Sequence, residues 1–276
     1  MNNKQKIYFF SEKNVEGNKD MFSLLGGKGA NIAEMCSLKL PVPPGFTITT
    51  EECVSYLKEK KLSPALKRDI EKNIKKVESV SGKLFGGDDP LLLSVRSGAP
   101  VSMPGMMETV LNIGLTQKTI PLLIKKTKNE KFVYDSYRRF IMMYSDVVME
   151  KGLRKNKTGQ PIRDQMEKLL DQMKKKNGYK NDSAVSSESW EGLAKQYLSL
   201  YEKTFNEQFP EDHTEQLHGA VRAVFSSWNG KRAKEYRAFE KIPSNMGTAV
   251  NVQAMVFGNM GTGCGTGVAF TRNPSS

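Results

Sequence analysis

"LLLSVRSGAPVSMPGMMETVLNIGL", residues 91–115, is the stretch on which the fold turns. "LLLSVR" (91–96) is a continuous apolar run that follows the turn signal "GGDDP" (86–90), the pattern of a strand buried on both faces. Arg96 therefore leaves a buried strand for a loop of small residues and glycines, which runs on into "TVLNIGL". Backbone N–H groups in such a loop can approach an anion, and a strand-end arginine can fork onto phosphate oxygens. An arginine paired with a nearby carboxylate has the same local pattern, so both readings stand. The three methionines of "SMPGMM" are open in the same way. They either fill gaps in a packed core or form a mobile flap over a flat aromatic ligand.

Upstream, "LLGGKGANIAEM" (24–35) places Lys28 on a glycine hinge ahead of an amphipathic run. It is not a Walker loop, which needs glycine five residues before the glycine of the Gly-Lys pair and Ser or Thr after the lysine; Phe22 and Gly29 stand there instead. Ile32, Met35, Cys36 and Leu40 recur at helical spacing over 28–40, and Pro41 ends the run. A helix start offers backbone donors to anions, so Lys28 gains a phosphate reading by association with Arg96. "PVPPGFTITT" reads as an extended segment leading into a short strand, and Thr49 with Glu52 as a capping box for the helix after it.

From about 116 to 210 the pattern is helical. Val133, Tyr137, Phe140, Ile141, Tyr144 and Val148 form one stripe; Ile162, Met166, Leu169, Leu170 and Met173 a second, closed by Asn177-Gly178. Trp190, Leu193, Tyr197 and Tyr201 form a third, and Leu217, Val221, Val224, Phe225 and Trp228 a fourth. Stripes of this kind are packed core. The last stretch changes to period two, with Val250, Val252, Ala254 and Val256 on one face and Asn251, Gln253, Met255 and Phe257 on the other. A glycine-rich turn (258–267) and "VAFTR" then predict a hairpin that opens a second sheet, unfinished at "NPSS".

The formal charge is +12, and residues 116–180 carry 17 Lys and Arg against 7 Asp and Glu. These basic clusters lack interleaved aromatics, so they read as solvated helical faces and no nucleic-acid partner is expected. No apolar run approaches the ~20 residues of a membrane span, so no membrane partner is expected either. Cys36, Cys53 and Cys264 have no metal or redox spacing and read as reduced thiols of a cytoplasmic setting. His213 and His218 lack a nucleophile partner and read as surface or packing residues.

Taken in order, "LGGKGANIAEM", "PVPPGFTITTEEC", "SVRSGAPVSMPGMMETVLN", "VYDSYRRF", "GTAVNVQAMVFGNMG" and "TGVAFTRNP" resemble the pyruvate, phosphate dikinases of the phosphoenolpyruvate-utilising enzymes. The "MPGMM" run separates them from the phosphoenolpyruvate synthases, which remain an alternative beside a non-catalytic nucleotide-binding or interaction module. The resemblance implies an α/β (α+β) chain of ATP-grasp type, truncated before the second β lobe is complete. Residues 1–113 plus 201–242 would form an α/β lobe, 114–200 a basic helical insertion, and 243–276 the start of the second lobe. Lys28 and Arg96 would contact the phosphates of ATP under the loop Ser97–Thr109, with Ser97, Gly98, Ser102, Gly105 and Thr109. Gln253 and Met255 would lie near the base.

In that family ATP gives its β-phosphoryl to a histidine on a swivelling domain and inorganic phosphate accepts the γ-phosphoryl. A barrel domain then converts pyruvate to phosphoenolpyruvate. The implied partners are ATP, phosphate, Mg²⁺, the remaining domains of the same enzyme and a second copy of it. Neither the phosphohistidine segment nor a metal set matches here, so no catalytic or metal-ligating residue is carried over. Two departures stand out: Gly263, Cys264 and Gly265 replace the usual Asp, Ser and small residue of the turn, and Glu108 replaces Asp.

Overall fold

The computed structural model describes residues 5–153, 156 and 159–273. Five strands form one open antiparallel sheet: β1 (Ile7–Phe10), β2 (Gly45–Ile48), β3 (Leu93–Gly98), β4 (Thr109–Ile113) and β5 (Ala249–Ala254), in the order β1-β2-β5-β3-β4. Cross-strand register gives the sheet two unlike faces. Phe9, Phe46, Val252, Val95 and Val110 align in one buried apolar row. The opposite face carries Tyr8, Thr47, Asn251, Arg96 and Thr109 in a polar row.

The helices are α1 (Phe22–Ser37), α2 (Thr50–Glu59), α3 (Pro64–Ser81), α4 (Thr119–Thr127), α5 (Glu130–Tyr144), α6 (Ile162–Asn177), α7 (Ser187–Phe205), α8 (His213–Ser227) and α9 (Lys231–Phe239). Their starts follow from capping chemistry. Ser63, Asn129, Ser186 and Asp212 each accept the backbone N–H three residues on, and Pro64 occupies the first turn of α3. Gly82 and Gly178 close α3 and α6 in the left-handed conformation. The expected capping box at Thr49 does not form: the Thr49 hydroxyl is buried without a partner, and Glu52 pairs instead with Lys6 at 3.3 Å.

The apolar face lies against α3 and α8, while α1 crosses the polar face with Gly29 against the Thr47 side chain. α5 packs with α7 and continues into a wider helical turn, Ser145–Gly152, which packs with α8. Phe209 stands edge-on to Phe140, Tyr144 and Tyr201 at 5.2–5.5 Å between ring centres, a geometry aromatic quadrupoles favour. The first, third and fourth stripes are buried as predicted. In the second, Ile162 and Met166 are buried while Leu169, Leu170 and Met173 are half-covered, because α6 lies on the outside.

The main correction concerns the last stretch. The predicted strand exists as β5, but it lies between β2 and β3 at the centre of the same sheet and does not open a new one. β5 spends both edges on those neighbours, and "VAFTR" forms no strand, so the predicted hairpin is absent among the described residues. Pro274–Ser276, the end of "NPSS", lie outside the described residues. "TVLNI", into which the loop runs, forms a strand, β4.

Candidate phosphate-binding site

The site is built where α1 crosses the end of β3. At Gly26 the backbone takes φ +68°, ψ 170°, a conformation open to glycine, and this kinks the helix just before Lys28. The crossing is close: a Cβ on Gly26 would lie 1.5 Å from the Gly98 carbonyl oxygen. Gly27 donates its N–H to the Ala99 carbonyl at 3.0 Å, and Lys28 donates from Nζ to the Ser97 carbonyl at 2.9 Å. Two glycines on α1 and one on β3 thus let main chain meet main chain and bring a lysine onto the strand end.

Lys28 is exposed, yet its ammonium donates to the Ser97 carbonyl. Burial of that end, and then the neighbouring Arg96 guanidinium, hold its pKa below the ordinary lysine value. The Arg96 side chain is exposed and has no hydrogen-bond or ion-pair partner among the described residues. The carboxylate-partner reading of Arg96 is therefore not realised. Two cations within electrostatic reach of each other, one with unspent donors, favour an anion between them.

Asn251, which is not among the site residues expected from sequence, lies beside Arg96 in the polar row, 2% exposed. Its Oδ1 accepts from the Thr47 hydroxyl at 2.8 Å, while its Nδ2 is buried with no partner. A buried donor left unpaired costs about 1–3 kcal/mol. Thr248 completes the floor, its hydroxyl accepting from the Gly98 N–H at 3.2 Å. An asparagine inside a β-branched strand is itself a signal, since that residue is depleted in strands.

The structure brings Lys28, Arg96, Ser97, Gly98 and Thr109 together; Thr109 pairs with Arg96 across β4. Ser102 and Gly105 stand exposed on the loop. Beside them Met103 is buried in the core, and Met106 and Met107 pack against it, which supports the packing reading of the methionines. Glu108 is bound to Lys151 at 3.1 Å. Gln253 lies on the Arg96 face but donates to the Pro43 carbonyl at 3.0 Å, and the Met255 sulfur accepts from the Asn112 N–H. His213 packs edge-on to Phe85, and His218 is buried in α8, its pKa lowered mainly by burial. A cavity of about 720 Å³, lined among others by Lys60, Gly105, Lys151 and Arg232, touches the loop but not Lys28 or Arg96.

Comparison with known proteins identifies a family. The family described as "Pyruvate phosphate dikinase, AMP/ATP-binding domain" matches residues 22–84 and 62–276. The chain belongs to that family. It is 49% identical over 264 residues to the pyruvate, phosphate dikinase of Clostridium symbiosum, covering 95% of this chain and 29% of the relative. The Rhizobium meliloti (strain 1021) pyruvate, phosphate dikinase is 46% identical over 272 residues, covering 98% and 29%. The chloroplastic pyruvate, phosphate dikinase 1 of Arabidopsis thaliana is 47% identical over 274, covering 99% and 27%. The chain thus spans less than a third of the length of these relatives.

For Mg²⁺ the described residues are a poor fit: no three of His, Cys, Asp and Glu converge, whereas the ion is usually held by carboxylates. Among the described residues no helix is long and apolar enough to cross a membrane.

Proposed function

We propose that this chain is the ATP-binding part of a pyruvate, phosphate dikinase, an enzyme that interconverts ATP, phosphate and pyruvate with AMP, diphosphate and phosphoenolpyruvate. The observation that carries the reading is the Lys28 ammonium, held on the Ser97 carbonyl within the electrostatic field of an unpartnered Arg96 guanidinium, at a main-chain crossing made by glycines. In this role Lys28 and Arg96 neutralise the polyphosphate, and the strand-end segment Ser97–Gly98 fixes where it sits. The loop through Ser102, Gly105 and Thr109 covers it, with Gln253 and Met255 toward the base. The work is positioning and electrostatics, which dominate phosphoryl transfer. The accepting histidine and the pyruvate site belong to other domains of the same enzyme, and residues 114–200 serve as a helical insertion. Free Cys36, Cys53 and Cys264 fit a reducing, cytoplasm-like compartment.

Calorimetric titration with ATP tests the reading. Arg96→Ala is expected to weaken binding about 10- to 100-fold, the worth of a charge-assisted bond, and to leave the melting temperature unchanged, since the Arg96 side chain holds no partner among the described residues. Unaltered ATP affinity in that variant would refute the assignment.

A further inference from the structure

We propose that Asn251 is a further residue of the polyphosphate site, its Nδ2 reserved for an anion oxygen held beside Lys28 and Arg96. The inference rests on the phosphate reading above and extends it to a side chain on β5.

Three observations converge. The amide is oriented from outside the site: Thr47 on β2 donates to Oδ1 at 2.8 Å, and this turns Nδ2 the other way. Nδ2 has no partner although Asn251 is 2% exposed, in a strand whose other buried positions are apolar or satisfied. Gly98 lies directly against it: a Cβ there would stand 2.6 Å from Nδ2 and 3.7 Å from the Lys28 Cβ. The side of Gly98 that lacks a side chain is therefore the side that Asn251 and Lys28 share. Register puts Arg96 next to Asn251 across the β3–β5 pair, so one donor and two cations meet at one strand end.

A structural asparagine would have no need of this arrangement. Threonine and serine could serve the Thr47 bond alone, without burying a spare N–H. An oxygen anion uses it: a carboxamide donor adds no charge, so it can lie within the row without repelling Lys28 or Arg96.

Titration of the chain with inorganic tripolyphosphate and with ATP, beside thermal melting, decides the matter. Asn251→Ala is expected to weaken both ligands by about tenfold and by the same factor, because the lost bond is to the phosphates. Asn251→Asp, which keeps the shape and the Thr47 bond, is expected to weaken both further, and the deficit should shrink as pH is lowered and the carboxyl protonates. A structural role alone predicts something different: both variants melt earlier, with no pH-dependent difference in affinity between them. Wild-type affinity in Asn251→Ala overturns the role of Asn251 and leaves the phosphate site standing. Failure of the wild-type chain to bind either ligand overturns the phosphate reading and this inference with it.

Discussion

Gly26 offers the sharpest test of how the site is assembled. Replacing it with alanine meets two obstacles. At φ +68°, ψ 170° the backbone is in a region that alanine enters at a cost of about 1–3 kcal/mol. The new Cβ would also lie 1.5 Å from the Gly98 carbonyl, where real Cβ atoms stay beyond 3.0 Å, so α1 or β3 must give way by about 1.5 Å. The obstructing atom is backbone in a paired strand, with no rotamer to escape into, and overpacking of that kind costs about 1–3 kcal/mol. Together these predict a loss of about 4 kcal/mol, or roughly 10 °C in melting temperature for a chain of this length. Two alanine controls divide the effect. Gly105 has φ +72° with no atom within 4 Å of a Cβ, so it tests strain alone, about 1 kcal/mol. Gly27 would meet its nearest atom, the Ala99 oxygen, at 3.6 Å without positive φ, and should be near neutral. Melting followed by circular dichroism, with ATP titration of each variant, provides the readout. Gly26→Ala should be the least stable of the three and should lose ATP binding along with its fold. If it melts with Gly105→Ala, the close crossing is not what holds α1 to β3, and the placement of Lys28 needs another cause.

Two further outcomes follow from the same geometry. Lys28 has a lowered pKa in the folded chain, so its charged form is held against a penalty that is present at neutral pH. That penalty is relieved as pH rises through the lowered value toward the ordinary 10.5, and stability should rise with pH across that window. In ¹³C-detected titration of the lysine side chains, Lys28 should therefore titrate below 10.5, move partly upward in Arg96→Ala, and move upward again when tripolyphosphate is bound; a normal value in the free wild type would refute the crowding of cations. Among the thiols, burial pushes Cys53 up to about 12 and also raises Cys36, whereas Cys264 is exposed. Iodoacetamide at pH 8 should accordingly add one label, on Cys264, by mass spectrometry; rapid labelling of Cys53 would mean that the β2–α2–α8 core opens.

Much of this protein is legible in its amino-acid order, because much of it is local. Helical stripes such as Val133–Val148 report their own burial, Gly178 ends α6 through its own backbone freedom, and an apolar run that ends in Arg96 announces a strand with a charge at its tip. Lys28 on its hinge and the motifs that carry the family are equally local. The capping box failed where a long-range pair, Lys6 with Glu52, outcompeted a local one. What remained hidden is what depends on partners distant in the chain. Alternation in 249–254 shows two faces but cannot say which strands lie beside them. The answer, Gly45–Ile48 on one side and Leu93–Gly98 on the other, is decided by which edges the folded sheet leaves open. From that single placement follow the Thr47–Asn251 bond, the approach of Asn251 to Gly98, and the polar row in which Arg96 stands. Periodicity is written residue by residue; register exists only between segments, so only the tertiary structure could bring Asn251 beside Arg96 and Gly98.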